Sequence, residues 1–562
     1  MMFAETLGYV IFSCFVLSQI IFWQYAFKNL KKESPQRKLI LSLIVLTFII
    51  IKIFFSQPYY GSEDDDDLYI YERLYVMLFP QTELNPNWYG ASEDPSLINY
   101  VIYPFFRLVL AFNPLFKLFP SQITFFTLYS SIVMLVSFYL LIKSLFKETS
   151  FLPILILVLS QNFFYFSRSL SYIFISHSYF LSALILLYFF ERKKGPKRCL
   201  LLFSSFFLLL YSSFVKVDNR IFILLYIIYW LNLRKVPFRK VILYSLALVP
   251  IPFVSSQFSR RSLNYLKSKT ILSMIQSLPL FLFKSYNSFI FLIAFIFSIF
   301  LFSDNFFIII YFFTFLFMYS FSYSVDAMLV RFRYTNALIA PSLLVLVAVL
   351  NKEFFKQKKY LKNLIYIILI GLQLLSFFLT PIHYDKSERI NYLESKSFEG
   401  ISDVVYLLPI FGSRPLDYAL ILKSKNPDIV IRPLSVIIEN HSVSIELKKI
   451  FLKDIFIPDS CNNDIPPEKV SQIFTNLTLE QIRPYCYDFK WVTIEHAFDD
   501  YMKSLNKSYP LKEINFLLIR SEPSKYDISE SYEKLLDVFR SSCVVEELES
   551  PSDLVRFYNV TC

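Results

Sequence analysis

Apolar segments of the length that crosses a bilayer recur along the first two thirds of the chain. A transmembrane helix needs roughly 17–25 mostly apolar residues to cross the hydrocarbon core. The sequence therefore predicts an α-helical polytopic membrane domain over residues 1–380. We expect twelve spans, near residues 6–27, 38–55, 122–143, 151–167, 170–190, 198–214, 220–233, 240–256, 286–303, 305–322, 332–350 and 361–380.

Basic residues are concentrated in five of the connections between these segments. Short cytoplasmic loops collect Lys and Arg, and with twelve spans all five connections fall on one side. Both termini, the connection 56–121 and everything after Pro381 would then lie on the outer, periplasmic face of a bacterial inner membrane. The five basic connections are 28–38, 143–147, 191–198, 234–240 and 352–362.

The composition changes after Pro381, where charged residues and prolines become frequent and apolar runs shorten. Short β-type runs alternate there with patches of helical periodicity, which is typical of an α/β domain. Residues 381–562 are therefore predicted to form a soluble C-terminal α/β domain. Its β-type runs are Asp403–Ile410, Asp428–Ile438, Trp491–Ile494 and Ile514–Ile519, and its helical patches are 443–453 and 529–540.

Composition excludes several classes of function. Hydrophobic residues make up 55% of the chain, so the net charge of +11 suits a multispanning membrane protein and does not indicate nucleic-acid binding. Only seven glycines occur in 562 residues, and no glycine-rich phosphate loop is present. The four histidines are scattered, and nothing indicates a Ser-His-Asp or Cys-His nucleophile.

Four of the six cysteines lie in the predicted C-terminal domain: Cys461, Cys486, Cys543 and Cys562. On the outer face they would form two disulfides, for which three connectivities exist, or remain free thiols. No CxxC motif or His-Cys cluster is present, so a zinc site is not expected.

A run of five acidic residues, Glu63 to Asp67, follows the predicted span 38–55. Neighbouring carboxylates resist simultaneous ionisation, which suits a general base or a divalent cation held by oxygen ligands. Asp64, Asp65 and Asp66 are therefore candidate catalytic residues. The alternative is a solvated loop, the usual role of a block of like charges.

The rest of the connection 56–121 contains two apolar segments, 68–79 and 97–119, that suit helices lying at the membrane interface. Between them Trp88 and Tyr89 stand close to Glu93 and Asp94. Aromatic rings beside carboxylates are suited to holding sugar rings and their hydroxyls. The alternative is an interfacial aromatic anchor.

Basic residues also occur on the predicted outer side: Arg168, Lys216, Arg220, Arg260, Arg261, Arg331 and Arg333. Because they lie against the topological bias, we expect some of them to bind an anion. Lys216, Arg331 and Arg333 are candidates for a lipid phosphate, with arginine acting as a bidentate fork and lysine as a point charge. Snorkelling to lipid headgroups is the alternative.

These features resemble the GT-C superfamily of polyprenyl-phosphate-sugar-dependent glycosyltransferases. The resemblance covers residues 38–350 and rests on the acidic run followed by Leu68-Tyr69, the two interfacial segments, Ser213-Phe-Val-Lys216, and Arg331-Phe-Arg-Tyr334 followed by Pro341. The chain departs from that pattern by one additional span at its start. It also lacks an acid in residues 167–171, where Asp218, Glu93 or Asp94 would have to stand in.

The resemblance implies that an acid of the first outer loop, here Asp65 or Asp66, activates an acceptor hydroxyl. It also implies that Lys216 and Arg333 or Arg331 bind the donor phosphate, and that transfer inverts the anomeric carbon. The acceptor would be a glycan, a lipid or a protein. The one candidate cofactor is a divalent cation at the acidic run, and its presence is left open. The alternatives are a flippase for lipid-linked sugars, a polysaccharide polymerase or ligase, and a non-catalytic assembly protein.

Overall fold

A computed structural model describes the two regions of the chain separately, as a helical unit and a sheet unit. The described residues are 2–55, 101, 104, 119–146, 151–160, 163, 172–215, 220–237, 240, 278–279, 282, 288–301, 305–325, 335–379, 403–407, 430–433, 515–521, 536–537, 539–541, 543–552 and 555–561.

The helical unit begins with two long helices and continues with ten more in the described ranges. They are α1 (Met2–Leu30), α2 (Pro35–Phe55), α3 (Phe119–Phe146), α4 (Leu152–Leu159), α5 (Tyr172–Arg192), α6 (Lys197–Phe214), α7 (Ile221–Leu233), α8 (Ser288–Ser298, continued by a 3-10 turn at Ile299–Leu301), α9 (Phe306–Val325), α10 (Thr335–Leu350), α11 (Glu353–Gln357) and α12 (Lys359–Leu379).

Eleven of these helices overlap eleven of the twelve predicted spans, and the short α11 lies in the basic connection 352–362. The span expected near 240–256 lies outside the described residues apart from Lys240. Four helical segments are long and apolar enough to cross a membrane: Gly8–Leu30, Phe126–Phe146, Phe174–Arg192 and Lys197–Phe214. The described part is thus mostly helical and has the character of a membrane protein. The total of twelve spans stays a prediction.

One predicted span differs from the structure in its length. The segment expected over 151–167 contains α4, which ends at Leu159. Ser160 has an extended backbone, and its hydroxyl donates a hydrogen bond to the Leu157 carbonyl and accepts one from the Phe163 amide. A side chain that bonds to the local backbone in this way offers an alternative to the helical ladder and ends the helix.

Helix α5 is the centre of the helical unit and is buried along most of its length. A tight turn at Gly195, which has a positive φ of 95°, reverses the chain so that α6 packs back on α5. Serines occupy the packed faces: the Ser205 hydroxyl donates to the Ala183 carbonyl at 2.7 Å, and Ser137 bonds Ser182 at 2.9 Å. Small residues of this kind allow membrane helices to approach closely and bond across the interface.

The sheet unit contains five strands: β1 (Asp403–Leu407), β2 (Val430–Pro433), β3 (Asn515–Ser521), β4 (Val544–Ser552) and β5 (Val555–Thr561). Their order is β2-β1-β3-β5-β4. The β1 strand pairs in parallel with β2 and β3, whereas β5 pairs antiparallel with β3 and β4.

The structure confirms three of the four predicted β-type runs as strands, β1 to β3, and adds the hairpin β4–β5, which the sequence patterns did not predict. Trp491–Ile494 and the patch 443–453 lie outside the described residues, and short helical turns at 536–537 and 539–541 fall in the patch 529–540. The sheet is mixed, because it contains both parallel and antiparallel strand pairs. Its membership of the α/β class stays a prediction.

One cysteine of the sheet unit forms a disulfide. Cys543 is disulfide-bonded, as expected for at least one of the four cysteines of this part of the chain. Cys14 and Cys199, both in the helical unit, are free thiols.

Candidate functional site

The side chains predicted to form the site all lie outside the described residues, so their predicted roles remain untested. They are Asp64, Asp65 and Asp66 of the acidic run; Trp88, Tyr89, Glu93 and Asp94; Lys216 and Asp218; and Arg331 and Arg333. What the structure does describe is the set of helices that leads into these segments.

The basic connections gather at one end of the helical unit, which we call the basic end. Glu33, in the turn between α1 and α2, is almost fully buried and forms ion pairs with Lys143 of α3 and, at 3.6 Å, with Arg37. Tyr229 of α7 lies 3.4 Å from the Ser144 hydroxyl. These contacts place the ends of α1, α3 and α7 side by side.

The same end includes the α5–α6 turn and the start of α12. Glu191 accepts hydrogen bonds from the Arg234 guanidinium at 3.1 Å and from the Trp230 indole at 2.6 Å. The Tyr229 ring also lies 4.8 Å, centre to centre, from the ring of Phe307 at the start of α9, which places the connection between α8 and α9 at this end. Beside it, Lys352 donates to the Phe300 carbonyl, and the Lys362 ammonium donates to the Asn351 side chain at 2.6 Å. Connections that the sequence assigned to one side of the membrane are thus neighbours in the structure.

The helix ends that flank the predicted site segments lie towards the other end of this unit, here called the far end. The Phe163 ring contacts both Phe48 of α2 and Phe174 at the start of α5. Phe315 of α9 contacts Phe222 at the start of α7.

An α-helix rises 1.5 Å per residue, so α2, with 21 residues, carries the chain about 30 Å from the basic end to Phe55. By the same measure α6 ends at Phe214 after about 27 Å, and α9 ends at Val325 after about 30 Å. In the sequence, the acidic run, the Lys216 segment and the Arg331 segment each follow one of these helix ends.

Arg220 is a described cation of the far end, directly before the first residue of α7. Its guanidinium carbon lies 5.5 Å from the centre of the Phe214 ring, and its Nε has no hydrogen-bond partner among the described residues. The N-terminus of a helix carries partial positive charge, which disfavours a cation there. A basic side chain at this position is therefore suited to an anion. The sequence identified Arg220 as an unusually placed cation but gave it no role.

A second polar feature lies inside the helical unit, near the far end. His177 of α5 is completely buried, and its Nε2 is hydrogen-bonded to the Tyr311 hydroxyl of α9. The imidazole lies among Phe180, Phe222 and Phe315, with ring centres 5.7–6.3 Å away. Its Nδ1 has no partner in the part of the chain that the structure describes.

The sequence did not predict the pairing of His177 with Tyr311, although it contained a signal. Ionisable residues within spans are rare and face the interior of the bundle, so a histidine inside the apolar segment 170–190 was itself a reason to expect a polar contact. Identifying Tyr311 as the partner required the structure, because the two residues are 134 positions apart.

Within the described residues, no group of three or more His, Cys, Asp or Glu side chains is arranged to hold a metal ion. The acidic run, which is a candidate site for a divalent cation, lies outside those residues. Its use as a cation site is untested.

Comparison with known proteins finds no matching family model, no matching curated protein and no matching solved structure.

Proposed function

We propose that the protein is a membrane glycosyltransferase that moves a sugar from a polyprenyl-phosphate donor to an acceptor hydroxyl at the outer face of the membrane. The single observation that carries the proposal is the arrangement of helix ends. Those that flank the acidic run, the Lys216 segment and the Arg331 segment lie at the far end, opposite the basic connections. The three segments would thereby leave the helical unit on the same face.

Binding of the donor follows from the charges at that end. Lys216 and Arg333 would contact the phosphate and stabilise the charge that develops on it as the glycosidic bond breaks. Arg220 supports this role because it adds a third cation at the positive end of α7. Arg331 is the alternative to Arg333, because the two residues share one motif.

Activation of the acceptor would depend on the acidic run. One carboxylate of Asp64, Asp65 or Asp66 would take the proton from the attacking hydroxyl. Direct displacement by that hydroxyl then inverts the anomeric carbon, as the GT-C resemblance implies. The donor phosphate is the leaving group, so the reaction needs no nucleotide. A divalent cation at the run would screen its carboxylates and help to position the phosphate.

Recognition of the sugar would involve the segment between the two interfacial helices. Trp88 and Tyr89 would pack on the sugar ring, and Glu93, Asp94 or Asp218 would accept hydrogen bonds from its hydroxyls. The acceptor, whether glycan, lipid or protein, would approach from the outer face.

The interior of the helical unit favours this proposal over a flippase. A flippase for lipid-linked sugars is expected to carry charged side chains at mid-span. Among the described residues, the buried Asp, Glu, Lys and Arg side chains are Glu33 and Lys362, and both belong to the basic end. The described interior instead holds polar contacts such as His177–Tyr311 and Ser137–Ser182.

A transfer assay tests the proposal. Membranes containing the wild-type protein are supplied with a polyprenyl-phosphate-linked radiolabelled sugar, and label is followed into lipid, glycan and protein fractions. We expect the double variant Asp65→Asn, Asp66→Asn to lose transfer while its amount in the membrane stays unchanged. The matched control is Lys194→Ala, an exposed residue of the basic end, which should leave transfer unchanged. Undiminished transfer in the double variant would contradict the proposal.

A further inference from the structure

The disulfide of Cys543 has a partner that can be identified from the rest of the chain. Cys543 directly precedes β4, and its amide donates a hydrogen bond to the Phe539 carbonyl at 2.8 Å, which ties it to the preceding helical turn. The chain contains six cysteines, of which Cys14 and Cys199 are free. The partner of Cys543 is therefore Cys461, Cys486 or Cys562.

The register of the β4–β5 hairpin distinguishes between these three. Val544 pairs with Thr561, Val545 with Val560, and Glu546 with Asn559. In an antiparallel pair each step back along one strand matches one step forward along the other. The position opposite Cys543 is consequently the residue that follows Thr561, which is Cys562.

The geometry of antiparallel strands suits such a bond. Residues directly opposite one another have Cα atoms about 4.5–5.5 Å apart, and disulfides join Cα atoms about 4.4–6.8 Å apart. Neither Cys461 nor Cys486 is brought towards β4 by any strand pairing in the described part of the sheet unit.

We propose that Cys543 and Cys562 form a disulfide that closes the open end of the β4–β5 hairpin. The two thiols lose two protons and two electrons, and a disulfide-bearing thiol oxidoreductase accepts the electrons and becomes a dithiol. The bond fixes β4, which is the edge strand of the sheet, to β5 at the end where pairing would otherwise fray. It also requires that the sheet unit folds in an oxidising compartment, because cytosolic thiols are kept reduced.

The bond can be mapped on the full-length protein, and the test does not depend on whether the protein transfers sugars. The protein is dissolved in SDS with N-ethylmaleimide and without reductant, digested with trypsin, and analysed by mass spectrometry before and after reduction. Cleavage after Arg540 and Arg556 releases Cys543 in the peptide 541–556 and Cys562 in residues 557–562. We expect these two peptides to appear joined and to separate on reduction.

The same digest provides its own controls, and it can also give results that contradict the proposal. Cys14 and Cys199 should carry N-ethylmaleimide without reduction, which shows that the reagent reached every free thiol. A bond from 541–556 to 454–469, which contains Cys461, or to 470–490, which contains Cys486, would overturn the proposal. Alkylation of Cys543 before reduction would overturn it as well.

Discussion

Helix α7 has an arginine at each end, and the two side chains have different surroundings. Arg234, at the C-terminal end, bonds Glu191 at 3.1 Å and lies 4.4 Å from the centre of the Trp230 ring. Arg220, at the N-terminal end, lies over the Phe214 ring and has an Nε without a hydrogen-bond partner among the described residues. The helix dipole favours a cation at the first of these positions and disfavours it at the second.

The two ends of the helical unit differ in the same way as these two arginines, namely in how their positive charge is balanced. At the basic end, Glu33 and Glu191 form ion pairs with neighbouring lysine and arginine side chains. Part of the positive charge at this end is therefore balanced by carboxylates of the protein itself. At the far end, the contact of Arg220 that lies within the described residues is with the Phe214 ring. The comparison indicates that part of the charge at the basic end is balanced within the chain, whereas Arg220 is suited to an external anion.

The largest effect is expected in a labelling experiment that tests the membrane topology. It shows which face of the membrane each end of the helical unit occupies. Cys199 is an exposed, free thiol at the basic end and serves as a native reporter. A membrane-impermeant maleimide added to intact spheroplasts should leave Cys199 unlabelled, because basic loops remain cytoplasmic. It should label Ser387→Cys, made in a Cys199→Ser background.

Permeabilised spheroplasts provide the control for this experiment, because both positions should then react. Labelling of Cys199 from outside the intact membrane would reverse the assignment of the two ends and with it the compartment of the proposed transfer.

The next largest effect is expected on donor affinity. Lys216→Ala and Arg333→Ala should each weaken binding of a polyprenyl phosphate by about 10- to 150-fold, since a hydrogen bond to a charged group contributes roughly 1.5–3 kcal/mol. Arg333→Lys should also bind poorly, because an ammonium cannot replace the planar fork. Affinity is measured with a fluorescent analogue on purified protein in detergent.

Arg234→Ala is the matched control, since it removes an arginine from the opposite end of α7. Its donor affinity should equal that of the wild type. If Lys216→Ala and Arg333→Ala also bind normally, snorkelling explains these cations and the phosphate site is wrong.

The smallest effect is expected on stability at the basic end. Glu33→Gln removes the charge that pairs with Lys143 and Arg37, and Glu33 itself is only 5% exposed. We expect a loss of about 1–3 kcal/mol, because the neighbouring cations lose a partner at a partly buried position. The measurement is the unfolding midpoint of the purified protein.

The exposed Glu353→Gln, at the start of α11, is the control for this change and should shift the midpoint little. Donor affinity should be unchanged in both variants. If the unfolding midpoint of Glu33→Gln equals that of the wild type, the stability of the basic end does not depend on the ion pairs of Glu33.

Much of the helical unit was predictable, because crossing a membrane imposes a length and a composition that any segment must satisfy by itself. Ser160 shows the limit of that signal: its hydroxyl bonds to the backbone of Leu157 and Phe163, and α4 ends there within an apolar run. In the sheet unit, alternation identified β1 to β3 but not β4, whose run Val544–Ser552 is rich in Glu and Ser and contains Pro551. That composition suits an edge strand, where polar residues and proline are tolerated.

The sequence by itself determined the class of protein, the positions of most helices and the grouping of the basic connections, because each follows from local hydrophobicity or from charge counted loop by loop. Only the tertiary structure decided that Glu33 meets Lys143, that His177 meets Tyr311, and that the strand order is β2-β1-β3-β5-β4. These contacts join residues far apart in the chain. Local periodicity shows which face of a helix or strand is buried, but it does not specify the partner that covers it.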